Sequence, residues 1–234
     1  MKRELDLNAY TDGKLYTQSD LVKLGCDGCK GRESCCMIME DTILLDPKDI
    51  YDLTGNLNLS FEDLMKEKIE LHVVDGVILP NLRMVPYKSV TACGFLSEEG
   101  RCSIHDFRPG FCRMFPLGRI YDEDGSFHYF HQIHECPCQN TSKVKIKNWL
   151  QIEGLSKYEA YIKSWHGFLM NVEKIVEREM SSNESKETPI SQKLNLLLLN
   201  TFFVTPYGFG ENTPDFYSQF EERLKKLEEI IPYF

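Results

Sequence analysis

Nine cysteines, Cys26, Cys29, Cys35, Cys36, Cys93, Cys102, Cys112, Cys136 and Cys138, lie between positions 26 and 138, and the last 96 residues carry none. Thiols serving only as small core residues would not stop at a boundary, so the confined set reads as ligands, above all of a metal. Cys26-x2-Cys29 is a knuckle, in which the backbone folds round so that two sulfurs meet one ion. Cys35 and Cys36 are adjacent and project differently, so one can ligate while the other packs, bridges or serves a second metal. Cys93, Cys102 and Cys112 are nine and ten residues apart, too wide for a knuckle, and the fold must bring them together. A zinc ribbon uses two C-x2-C knuckles, and one is present.

The totals restrict where such chemistry takes place. The 234 residues are 42% hydrophobic and 27% charged, in the range of an ordinary globular protein with a substantial core. Met1–Asp6 has no apolar stretch of a secretory signal, and Leu196–Leu199 is far too short to span a bilayer. A reducing cytoplasmic setting follows, in which clustered cysteines bind metal or catalyse rather than pair as disulfides. The formal charge of −9, made more negative by thiolates, excludes non-specific binding to nucleic acid or an anionic membrane surface. A protein partner or substrate is left open.

The order of the cysteine motifs resembles the CxxCxxCC, or YkgJ-like, family of zinc- or iron-chelating proteins. The resemblance rests on Cys26-x2-Cys29, Cys35-Cys36, Cys93-Gly94-Phe95-Leu96, Cys102-Ser103-Ile104-His105 and Arg108-Pro109-x2-Cys112-Arg113-x2-Pro116. It covers residues 26–118, about two fifths of the chain. The resemblance implies a cysteine-chelated zinc or iron centre, often an iron–sulfur one, without a settled activity. A lysine methylase acting on flagellin is similar in its cysteine region. Five residues separate Cys29 from Cys35, where the family name has two, which leaves open how Cys26, Cys29, Cys35 and Cys36 map onto the ligand positions.

Both zinc and iron accept thiolate-only sites. Wide spacing, more cysteines than one four-ligand site needs, and Cys136-Pro137 favour an iron–sulfur cluster, since proline follows the last ligand in ferredoxin-type runs. Zinc is the rival, because two four-cysteine sites would use eight of the nine. The expected metal ligands are Cys26, Cys29, Cys35, Cys36, Cys93, Cys102, Cys112 and Cys136. Arg108 and Arg113 flank Cys112 and are candidates to offset thiolate charge and hydrogen-bond sulfur without binding metal; the plainer alternative pairs each with a carboxylate such as Asp106 or Asp122. His128, His131 and His134 read as partly exposed strand residues, with His131 opposite the other two. His105, three residues after Cys102, is the histidine placed to approach the centre, though an aromatic residue common at that point in the resembling family argues for packing.

The positioning elements follow from pattern. Asp46-Pro47 and Ser60-Phe61-Glu62-Asp63 are helix starts. Asp75-Gly76, Asp124-Gly125 and Glu99-Gly100 mark three hairpins. Ser156-x-x-Glu159 reads as a capping box ahead of an amphipathic helix from Tyr158 to Val176. Leu194–Val204 reads as a buried helix, and Thr213-Pro214 begins a last one. Residues 1–25 read as a polar lead-in. The fold class is therefore α+β: a small irregular cysteine-rich metal core with β-hairpins and short helices, plus C-terminal amphipathic helices. Residues 1–150 form the cysteine-cluster domain and 151–234 the helical region, with a flexible linker near 181–189. Two further functional classes remain beside a metal-binding protein: a metal-dependent enzyme, such as a protein lysine methylase or redox enzyme, and an interaction scaffold built on structural zinc. No G-x-G-x-x-G turn after a strand and no phosphate-binding P-loop is present.

Overall fold

A computed structural model describes residues 7–25, 36–37, 42–133, 135–136, 142–181 and 189–233. In chain order the elements are α1 (Leu7–Tyr10), β1 (Thr11–Tyr16), β2 (Leu21–Gly25), α2 (Pro47–Leu57), α3 (Phe61–Glu67), β3 (Ile69–Val74), β4 (Val77–Leu82), β5 (Met84–Tyr87) and β6 (Val90–Cys93). After a 3₁₀ turn at His105–Phe107 come α4 (Gly110–Met114), β7 (Leu117–Tyr121), β8 (Phe127–Gln132), β9 (Ser142–Lys145) and α5 (Ile146–Leu150). The chain ends in α6 (Leu155–Ser181), α7 (Ile190–Leu199), a π-helical turn at Asn200–Val204 and α8 (Phe216–Ile230). Helices alternate with small antiparallel sheets, and the fold is α+β. Among the described residues no helix is long and apolar enough to cross a membrane.

One compact unit comprises Leu44–Arg83 and Phe168–Phe234. Its first two helices start where the sequence places them. Asp46 and Ser60 each accept a hydrogen bond from the backbone N–H three residues on, and Asp49 and Asp63 return the bond to the cap residue. That reciprocal pairing satisfies N–H groups with no partner inside the helix. Asp75 (φ 51°) and Gly76 (φ 79°) form the two-residue turn of the β3–β4 hairpin, whose register runs from Val74↔Val77 to Ile69↔Leu82. A Cβ at Gly76 would lie 2.6 Å from Val176 Cγ1, so glycine is required there by both conformation and space. The core holds Leu53, Leu64, Ile69, Val172, Leu194, Leu198, Phe202 and Phe220, all buried. Glu179, near the end of α6, caps α7: its two carboxylate oxygens accept from the N–H of Ile190 and, at 2.7 Å, of Ser191. Residues 182–188, most of the expected linker, lie outside the described residues.

The other unit comprises Lys2–Ile43 and Met84–Gly167. Here β1, β8 and β7 form an antiparallel sheet in that order, β2 pairs with β9 and β5 with β6. The Asp122–Ser126 turn joins β7 to β8 as expected, with the Asp122 N–H donating to Ser126 O at 2.7 Å. Gly118 sits opposite Phe130, and a Cβ there would come within 2.2 Å of the Phe130 ring. The polar lead-in is corrected: residues 11–16 and 21–25 are strands, and Val22 and Leu24 are buried. Their partners lie more than a hundred residues away in β8 and β9, beyond the reach of local pattern. The capping box is corrected too. Ser156 lies inside the first turn of α6, and Glu159 turns its carboxylate elsewhere.

Candidate metal centre

Cys93, Cys102 and Cys112 are set on a short, densely bonded stretch. Cys93 closes β6 opposite Met84 and is 9% exposed. Its carbonyl accepts from the Leu96 N–H at 2.8 Å, which folds Cys93-Gly94-Phe95-Leu96 into a turn. The chain then doubles back: Leu96 bridges Cys102, Ser97 N–H donates to Arg101 O at 2.9 Å, and Gly100 (φ 74°) makes the reversal. Ser103 fastens the return, donating from its N–H at 2.8 Å and its hydroxyl at 2.9 Å to Phe95 O. Buried Phe95 and Ile104 anchor this hairpin in the core. The expected Glu99-Gly100 reversal is therefore present, and it brings the backbones of the Cys93 and Cys102 segments alongside each other.

The 3₁₀ turn at His105–Phe107 leads through Arg108-Pro109 into α4, which carries Cys112. This helix has five residues and no side-chain N-cap, so its shape depends on what surrounds it. Arg113 supplies part of that support. Its Nε donates to Arg108 O at 3.0 Å, its Nη2 to Asp106 O, and its Nη1 reaches Gln151 O at 3.4 Å. The Phe115–Pro116 peptide that follows is cis, and Trp149 Nε1 donates to Phe115 O at 3.2 Å.

Arg108 donates from Nη1 to His105 O at 2.8 Å. The same nitrogen is 3.1 Å from His105 Nδ1 and 3.0 Å from Nε2, nearly equidistant, which sets it against the ring rather than along one lone pair. Burial, then the positive charges of Arg108 and Arg101, hold the His105 pKa below the ordinary histidine value.

Cys36 and Cys136 are each partly exposed. Cys26, Cys29, Cys35 and Cys138 lie outside the described residues, as does His134. Cys36, Cys93, Cys102, Cys112 and Cys136 stand as thiols rather than disulfides. That donor set suits zinc or iron, which both take thiolate sulfur. Among the described residues no three His, Cys, Asp or Glu side chains gather into a group that could hold a metal ion. His128 Nδ1 lies 3.1 Å from Asp122 Oδ2, and burial lowers the pKa of His131.

A polar cluster that local sequence pattern does not reveal lies in the same unit. Tyr129 donates its hydroxyl to Glu159 Oε1 at 2.8 Å, and Gln18 Nε2 donates to Glu159 Oε2 at 2.9 Å. Burial raises the Glu159 pKa against the opposing effects of the Tyr129 bond and Arg119. Burial also raises the Tyr129 phenol, reinforced by the Glu159 charge. The three residues come from distant parts of the chain, and Glu159 alone carries a local signal, one that points to a helix cap.

Residues 25–137 match the CxxCxxCC family model, described as a putative zinc- or iron-chelating domain. The matched segment is just under half of the chain. No curated protein and no solved structure matches the chain.

Proposed function

We propose that this protein binds metal through a centre assembled from the cysteines of residues 26–138, and that the centre is an iron–sulfur cluster. The observation that carries the reading is the donor set: nine confined cysteines, eight of them within the segment that matches a zinc- or iron-chelating domain model, with the five described ones present as thiols. In this reading the ligands are Cys26, Cys29, Cys35, Cys36, Cys93, Cys102, Cys112 and Cys136. The wide spacing and Cys136-Pro137 favour a cluster over a single four-thiolate ion. A bound cluster would supply electron transfer or Lewis-acid chemistry. A reducing, cytoplasmic compartment fits clustered cysteines used as ligands, and the charge of −9 disfavours nucleic acid as a partner.

The test is elemental and sulfide analysis of protein purified without oxygen. Iron with acid-labile sulfide, and absorbance near the roughly 400 nm of thiolate-to-iron charge transfer, is the outcome the reading requires. Stoichiometric zinc without iron would assign the rival metal to the same cysteines. Protein devoid of both would remove the metal centre altogether.

A further inference from the structure

We propose that Arg113 is a positioning residue for the Cys112 segment, acting through the fan of its guanidinium on backbone carbonyls rather than through its charge on sulfur. The inference rests on the reading of residues 26–138 as a metal centre and adds how one of its segments is held. Three carbonyls converge on this single side chain: Arg108 O at 3.0 Å from Nε, Asp106 O from Nη2, and Gln151 O at 3.4 Å from Nη1. Asp106 and Arg108 belong to the approach to α4, Arg113 to α4 itself, and Gln151 to the left-handed residue (φ 53°) that ends α5. One side chain therefore ties the entry loop, the helix bearing Cys112, and the end of a neighbouring helix.

The physical need is plain. A five-residue helix has little hydrogen bonding of its own, and α4 has no side-chain cap. A ligand carried on such a helix would otherwise vary in position, and a metal is held firmly only when its ligands are fixed. Arginine suits the task because its donors diverge in one plane and include Nε. Lysine keeps the charge but offers one nitrogen at the end of its chain, which cannot span three carbonyls. Arg108, five residues earlier, directs its guanidinium to the ring and carbonyl of His105 and so serves as the internal comparison.

Arg113→Lys, Arg113→Gln and Arg108→Lys separate geometry from charge. Each variant is loaded with zinc, and separately with cobalt, whose absorption reports the coordination geometry. Arg113→Lys should release zinc to a chelator about 10–100-fold faster than the native protein, as for other residues that orient ligands, and should alter the cobalt spectrum. In the metal-free protein, amides of residues 106–113 should exchange faster while those of α6, α7 and α8 do not change. Arg108→Lys should leave both readouts closer to native. Native zinc release and exchange in Arg113→Lys would overturn the proposal in favour of charge alone. Faster exchange spread equally over all helices in both Arg113 variants would overturn it in favour of general stabilisation. If the native protein binds no metal, the underlying reading fails, while amide exchange of residues 106–113 still decides whether Arg113 orders that segment.

Discussion

Asn195 grips the β3–β4 turn from α7: its Nδ2 donates to Gly76 O at 2.9 Å, and its Oδ1 accepts from the Ile78 N–H at 2.7 Å. Both amide functions of one buried side chain are thereby used on a turn more than a hundred residues away. Asn195→Ala should destabilise the protein by about 1 kcal/mol, because a part-buried N–H and a part-buried carbonyl lose their partners together. Asn195→Asp should also destabilise, since a carboxylate can accept from Ile78 but only repels the Gly76 carbonyl. Chemical denaturation of the variants measures both, and a native midpoint for either would show the grip to be dispensable.

Glu179 is expected to matter through the two N–H groups of α7 that it satisfies. Glu179→Ala should cost about 1 kcal/mol, and Glu179→Gln less, because an amide oxygen still accepts one bond. Hydrogen exchange at Ile190 and Ser191 should rise in the alanine variant. Unchanged protection at those two amides would refute the cap.

His166 stacks on Tyr121, with ring centroids 3.5 Å apart, and its pKa is lowered from 6.5 to about 4, by burial first and with Arg119 contributing. Its neutral form is favoured by folding, so between these values the unfolded chain binds the extra proton. The contribution to stability is present above pH 6.5 and is lost as the pH falls through about 4. The raised Glu159 pKa acts in the opposite sense, losing stability as the pH rises, so the comparison must be between variants. His166→Phe should flatten the pH dependence of stability on the acid side. Titration of the His166 ring by NMR with a midpoint near 6.5 would contradict the burial argument.

Cys93→Ser, Cys102→Ser and Cys112→Ser should each lower both metal content and melting temperature by more than an ordinary core substitution, because metal binding and folding are coupled. Three variants with native metal content and melting temperature would exclude these sulfurs as ligands. Cys93 carries an added burden, since at 9% exposure a serine hydroxyl there must find a hydrogen-bond partner.

Local chemistry reads well from sequence where the deciding contacts are local. Asp46, Ser60, Asp75-Gly76 and Asp124-Gly125 announce caps and turns because the groups they satisfy lie within four residues. The same rule misleads at Ser156 and Glu159, whose spacing fits a cap while Tyr129 and Gln18 claim the carboxylate. Strands β1, β2 and β9 escape notice because they are short, partly polar and completed by partners far along the chain. The candidate centre is legible in the same divided way. Cysteine types and spacing announce metal chemistry and Glu99-Gly100 announces the hairpin, but the use of Arg113 as a carbonyl brace depends on Gln151, which no spacing rule links to it.

The contact between Gly118 and Phe130 makes two positions share one volume. An aromatic ring occupies the place where the opposite strand would set its first side-chain carbon, so neither position can vary independently. Enlarging residue 118 alone should be damaging, and shrinking Phe130 alone should leave a void. The two changes together should restore much of what each one loses. Substitutions at this pair are therefore epistatic: the order in which they arise decides which sequences the sheet can reach.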